Sequence, residues 1–172
     1  MAAEVNVRRI TVTALMAALV FVLTSIPRIP VPATGGYLHL GDVAIAFAAF
    51  AFGPSVAMAA GAMGTGLADL LGFPQWAIFS VLVHGFQGWA MASLVRRGVT
   101  PLSAALSILV GTLIVVAGYF LAGVVLEGPA VAALELVPNL IQGGSGGLIG
   151  LPLYLAVRLA YPAIDRGKVS HA

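Results

Sequence analysis

Charge is what this sequence has least of. Of its 172 residues only 8% are charged and 60% are hydrophobic, with a mean hydropathy of +1.07. A soluble domain carries about 25% charged residues, and so few cannot cover a water-exposed surface. The chain therefore reads as a membrane protein, whose lipid-facing positions must be apolar. Cysteine is absent altogether, which excludes disulfides, thiolate metal sites and cysteine nucleophiles at once. H-E-x-x-H does not occur, so the common zinc-hydrolase reading has no anchor. The glycine-rich stretch at 143–147 lacks the lysine of a phosphate loop, and helix packing is its better account. Without an ATP-binding motif, any accumulation of substrate must draw on a gradient or on another subunit. The sequence pI of about 9.4 comes with a formal net charge of only +2. The basic residues are scattered in pairs without interleaved aromatics, which argues against nucleic acid. His39, His84 and His171 are too dispersed along the chain for a metal site, and neither metal nor cofactor is expected.

What is present is a series of apolar runs broken by Pro, Gly and charge. They predict six helices at about 10–26, 41–53, 54–72, 75–95, 102–126 and 137–160, forming one integral membrane domain over 1–172. Arg8 and Arg9 precede a first run too long for a signal peptide, so it reads as the first membrane helix. The second run is short: about 12 residues rise only ~18 Å, less than a full crossing. With six crossings, Arg8, Arg9, Arg96, Arg97, Arg158, Arg166 and Lys168 share one side and only Arg28 lies on the other. The positive-inside rule then puts both termini in the cytoplasm. Asp42, Asp69, Glu127 and Glu135 map to the outer side, and Glu4 and Asp165 to the cytoplasmic ends. The 27–40 segment carries three prolines and a Gly-Gly pair. It reads as an outer loop, apolar enough to act as a lid over a site.

Small residues recur at four-residue spacing in Ala14/Ala18, Ala60/Gly64/Ala68, Gly143/Gly147 and Gly146/Gly150. Such spacing lets helix backbones approach closely in lipid. Ionisable and polar groups inside a membrane are costly, so each needs a reason. Ser80, His84, Gln87 and Met91 share one face of the fourth helix, which projects His84 and Gln87 toward a cavity. Asn139 and Gln142 share a face of the last helix, and Tyr119 lies about two turns before Glu127. Trp76 reads as an interface anchor and Trp89 as core. Carboxylates, amides and aromatics gathered in the outer half suit a small, flat, polar heteroaromatic better than a phosphate.

Several stretches together resemble the substrate-binding S components of energy-coupling-factor (ECF) transporters, in the branch for hydroxymethylpyrimidine, pyridoxine or riboflavin uptake. They are Gly35-Gly36-Tyr37-Leu38-His39-Leu40-Gly41-Asp42, Gly66-Leu67-Ala68-Asp69-Leu70-Leu71-Gly72 and His84-Gly85-Phe86-Gln87-Gly88. The others are Gly118-Tyr119-Phe120-Leu121 and Pro138-Asn139-Leu140-Ile141-Gln142-Gly143. The resemblance implies an all-α bundle of six transmembrane helices in a prokaryotic plasma membrane. Its ligand site would lie in the outer half, under the loop between helices 1 and 2. It implies a vitamin-like ligand, no enzymatic activity, and a complex with one transmembrane coupling subunit and two cytoplasmic ATPases. Ala14 and Ala18 match the Ala-x-x-x-Ala docking face of the family's first helix. His84 departs from a lysine common before Gly-Leu-Glu-Gly in relatives, and Gln87 replaces the acid. The expected binding residues are Gly36, Tyr37, His39, Asp69, His84, Gln87, Tyr119, Glu127, Asn139 and Gln142. A stand-alone channel or proton-coupled carrier, with His84 and Asp69 as a proton relay, is the alternative.

Overall fold

Hydrocarbon leaves a backbone no water to bond, so each long apolar run must satisfy its own N–H and C=O groups as a helix. The computed structural model describes residues 7–26 and 28–167. The expectations for Glu4, Pro27, Lys168 and His171, and for the side chains of Asp165 and Arg166, lie outside what is described. The long elements are α1 (Val7–Ser25), α2 (Gly41–Phe52), α3 (Pro54–Gly72), α4 (Ala77–Leu94), α5 (Pro101–Leu126) and α7 (Leu136–Ala160). A short α6 (Pro129–Leu134) stands between the last two. Their limits agree with the expected ranges to within a turn, and the architecture is an all-α membrane bundle. Three features had not been expected. The segment after α1 folds as an antiparallel hairpin of β1 (Ile29–Val31) and β2 (Gly36–Leu38). A 3-10 turn (Pro74–Trp76) leads into α4, and α6 occupies the connection after Glu127.

Local chemistry explains the breaks. Gly53 has φ +87°, a left-handed conformation that glycine adopts freely, and Pro54 then starts α3. Thr100 caps α5: its hydroxyl accepts from the Ser103 N–H at 3.1 Å, and the Ser103 hydroxyl accepts from the Thr100 N–H at 2.9 Å. This satisfies backbone donors that the first helical turn leaves open.

Among the described residues, five helices are long and apolar enough to cross a membrane, and α2 is the shorter apolar exception. Its length has a structural reason. Every α2 residue except Phe47 and Phe52 is buried, and α1, α3, α4 and α7 all pack on it. A helix apolar on all sides can face protein rather than lipid, and α2 is the axis of the bundle.

Glycines set the spacing around it. A Cβ on Gly146 would meet Asp42 of α2 at 2.4 Å, and one on Gly150 would meet Ala46 of α2 at 2.7 Å. The alternating glycines face the other way: one on Gly143 would meet Thr112 of α5, and one on Gly147 would meet Ile108 of α5. The two four-residue series thus form two seams, which seat α7 between α2 and α5. Gly64 lies against Ala17 and Val20 of α1, and Ala60 and Ala68 are buried in the same helix. Ala14 and Ala18, by contrast, are exposed on α1.

The helices alternate in direction, so the bundle has two distinct ends. The start of α1, the α2–α3 turn and the end of α4 meet at one, where Arg9, Pro54 and Arg96 line a groove. The hairpin, the end of α3 and the starts of α4 and α7 meet at the other.

Candidate ligand cavity

The hairpin end frames a partly open cavity of about 280 Å³. Four contacts hold the hairpin loop over it. The Tyr37 hydroxyl donates to Asp69 Oδ1 of α3 at 2.8 Å. The His39 N–H donates to Gln142 Oε1 of α7 at 3.1 Å. The Leu40 N–H donates to the Leu23 carbonyl at 3.1 Å, closing the loop back onto α1. The Arg28 guanidinium stacks over Tyr37 at 4.7 Å and Phe73 at 5.8 Å, joining the hairpin to the end of α3. Burial first, then the Asp69 carboxylate, pushes the Tyr37 phenol up, so it stays a neutral donor. Removal from water dominates at His39: opposed by Asp42 and reinforced by His84 and Arg28, it lowers the imidazole from 6.5 to about 4.

Asp69 is the hub of a polar chain that crosses the cavity end. Besides Tyr37 it accepts a bond from the Ser80 hydroxyl of α4. Tyr119 of α5 lies 2.6 Å from the same hydroxyl. Since Ser80 donates to Asp69, Tyr119 donates to Ser80, and one chain links the hairpin, α3, α4 and α5. A second chain lies deeper. Gln87 Nε2 donates to Asp42 Oδ1 at 2.6 Å, and Gln87 Oε1 is 2.8 Å from His84 Nδ1.

The ten expected binding residues divide accordingly. Gly36, Tyr37, His39 and Asp69 line the cavity, as do Tyr119, Glu127, Asn139 and Gln142. His84 and Gln87 do not; they are fully buried in the deeper chain with Asp42. The expected face of α4 exists, since Ser80, His84, Gln87 and Met91 are all buried. Its His84 and Gln87 point at Asp42 of α2 rather than into open space, while Ser80 reaches Asp69 of α3. Asp69 and His84 belong to different hydrogen-bonded chains, which approach each other through rings, His84 to Tyr119 at 5.5 Å among them.

The structure also adds wall residues and corrects three expectations. Thr34, Phe73, Gln75 and Trp76 line the cavity, with Glu135 beside them. Trp76 is thus a cavity residue, 5.9 Å from the Tyr119 ring, and not only an interface anchor. Trp89, expected in the core, is 45% exposed and stacks on Phe86. The histidines are not all dispersed: His39 and His84 have ring centroids 5.7 Å apart. Proline-rich spacing had signalled the loop, but nothing local announced that its histidine would meet one on α4.

Comparison with known proteins decides the family. A family model described as "ECF-type riboflavin transporter, S component" matches residues 4–159. The chain belongs to this family. This S component is therefore a transporter subunit and not an enzyme. It is a multi-pass plasma-membrane protein that binds a vitamin or vitamin precursor for uptake. It is 35% identical over 139 residues to the thiamine precursor transporter HmpT of Lactococcus lactis subsp. cremoris, covering 80% of each chain. It is 38% identical over 132 residues to a Pyrococcus woesei protein described as an uncharacterized protein in the gap 3′ region, covering 76% of this chain and 88% of that one. A solved S component of a bacterial ECF transporter shares the fold of this S component at a TM-score of 0.65. The two are 18% identical, over 89% of this chain and 96% of the other.

Proposed function

We propose that this S component captures a single-ring, nitrogen-containing vitamin or vitamin precursor, of the hydroxymethylpyrimidine or pyridoxine kind, in the cavity beneath the hairpin. The carrying observation is the cavity wall: three carboxylates, Asp69, Glu127 and Glu135, the amides of Gln75, Asn139 and Gln142, and the rings of Tyr37, Phe73, Trp76 and Tyr119. Carboxylates accept from ring amines and hydroxyls, amides supply both donors and acceptors, and aromatic rings stack on a flat heterocycle. A volume of about 280 Å³ falls just below the usual range of small-molecule sites, which run from ~300 Å³ upward. That favours one ring over the three fused rings and sugar-alcohol chain of riboflavin. The similarity to a thiamine precursor transporter points the same way.

In this reading the chain crosses the membrane six times, with α2 as a short central span. The termini are cytoplasmic, the cavity lies in the outer half, and the hairpin is its lid. Gly36, Tyr37 and His39 close the site. Asp69, Tyr119, Glu127, Asn139 and Gln142 contact the ligand, and His84 and Gln87 support the floor from below. Uptake is energised by two cytoplasmic ATPases through a transmembrane coupling subunit, which docks on the exposed Ala14/Ala18 face of α1. The decisive experiment is mass spectrometry of small molecules released from the purified, detergent-solubilised protein. Thermal-shift titrations with hydroxymethylpyrimidine, pyridoxine and riboflavin would accompany it. A one-ring ligand bound well below micromolar is expected; riboflavin as the only stabilising compound would reject the size argument.

A further inference from the structure

The deeper polar chain is not explained by the vitamin cavity. His39 follows the hairpin, Asp42 sits in the first turn of α2, and His84 is in the middle of α4. Each offers one ligand-type atom, and these atoms lie within 4.8 Å of one another. Asp42 and His84 are 1% and 0% exposed, yet Asp42 Oδ2 and His84 Nε2 have no hydrogen-bond partner. Buried polar atoms in proteins are almost always partnered, and each exception calls for a cause. A simple ion pair does not supply one. The approach of His84 Nδ1 to Asp42 Oδ1, at 3.5 Å, uses the other atom of each group.

We infer that His39, Asp42 and His84 form a site for one divalent transition-metal cation of the zinc class, which ties the lid loop to α2 and α4. Gln87 prepares the site. Its Nε2 donates to Asp42 Oδ1, so its Oε1 faces His84 and holds a proton on Nδ1. Neutral His84 then presents the Nε2 lone pair. Metal-bound histidines show this arrangement, with the second ring nitrogen donating to an outer-shell oxygen. Two imidazoles and one carboxylate suit zinc, cobalt or nickel rather than calcium or magnesium, and leave a fourth position for water or a ligand donor. His39 is the donor that must adjust. Its Nδ1 accepts the Gly41 N–H at 3.1 Å, so the ring has to turn or shift its proton to ligate. The site goes beyond the vitamin reading and stands or falls without any vitamin present.

The test uses tag-free, full-length protein carrying His171→Ala, which removes a competing imidazole. After chelator treatment it is titrated with Co²⁺ alone, followed by visible absorption, and metal content is measured after Zn²⁺ loading. One equivalent per chain and the absorption bands of a four-coordinate nitrogen–oxygen site are expected, with a rise in thermal midpoint on metal addition. His39→Ala, on the lid loop, and Asp42→Asn, which keeps an acceptor for Gln87, should each weaken binding at least tenfold and shrink that rise. Comparing monodispersity of the variants with that of the parent separates lost ligation from misfolding. Absence of a saturable equivalent, or unchanged affinity in a monodisperse His39→Ala/Asp42→Asn double variant, would overturn the site.

Discussion

In the middle of the bundle, Gly61 and Gly88 bring α3 and α4 backbone to backbone. At the cavity end, Asp69, Ser80 and Tyr119 hold the same helices and α5 together through hydroxyl and carboxylate groups. A Cβ on Gly61 would stand 2.4 Å from the His84 carbonyl oxygen, and one on Gly88 2.5 Å from that of Ala57. Lipid supplies no hydrophobic drive between helices, so the seam depends on close van der Waals contact. Polar groups span more distance than a glycine contact does, which leaves room for a cavity. The difference separates substitutions that should damage the fold from those that should damage binding.

The largest expected effect lies in the seam. Gly88→Ala places a methyl group against backbone that cannot step aside, and overpacking of this kind costs about 1–3 kcal/mol. Its thermal midpoint in detergent should fall clearly below that of the parent. Gly144→Ala is the matched control, since nothing lies within 4 Å of a Cβ there. Equal midpoints for the two variants would mean that α3 and α4 can separate freely, and the proposed division of labour would fail.

Next comes Asp69→Ala, which removes the acceptor of both Tyr37 and Ser80. Two donors lose their partner and the lid loses a tie, so ligand affinity should drop ten- to a hundredfold, about 1.4–2.8 kcal/mol. The thermal midpoint should fall less than in Gly88→Ala. A double-mutant cycle with Tyr37→Phe sharpens the test. Strictly additive losses would show that Tyr37 and Asp69 act separately and that their bond is no latch.

These contrasts also explain what was legible beforehand. Helix runs, their Pro/Gly breaks and the shortness of α2 are local properties of the chain, so they could be read directly. Its place at the centre could not, because a helix apolar all round does not declare whether lipid or protein surrounds it. Polar residues such as Asp69, Asn139 and Gln142 stood out because a membrane makes each of them costly. Their pairing was hidden. Asp42 meets Gln87 across 45 residues, and no spacing rule connects a loop histidine at 39 with one at 84. The contrast of Trp76 on the cavity with Trp89 facing outward turns on helix rotation, which a single chain does not reveal.

A smaller effect is expected at Arg28. Arg28→Gln removes the cation stacked on Tyr37 and Phe73, an interaction worth about 0.5–2 kcal/mol. Because the contact joins lid to bundle and not protein to ligand, the loss should appear in the dissociation rate. Stopped-flow release from the variant should be several times faster, with the association rate little altered. An unchanged release rate would assign lid closure to the Tyr37, His39 and Leu40 bonds alone.

Tyr119→Phe should be the mildest change, and the reason lies in the direction of the bonds. Ser80 donates to Asp69 and accepts from Tyr119, so deleting the phenol oxygen strands no buried donor. The ring that faces Trp76 remains. What disappears is one hydrogen bond within the protein, of about 0.5–1.5 kcal/mol, which would appear as a small fall in the thermal midpoint with at most a few-fold rise in the ligand dissociation constant. If the loss instead equals that of Asp69→Ala, the Tyr119 hydroxyl must bond to the ligand itself. The phenol oxygen, and not only the ring, would then belong to the surface that contacts the ligand.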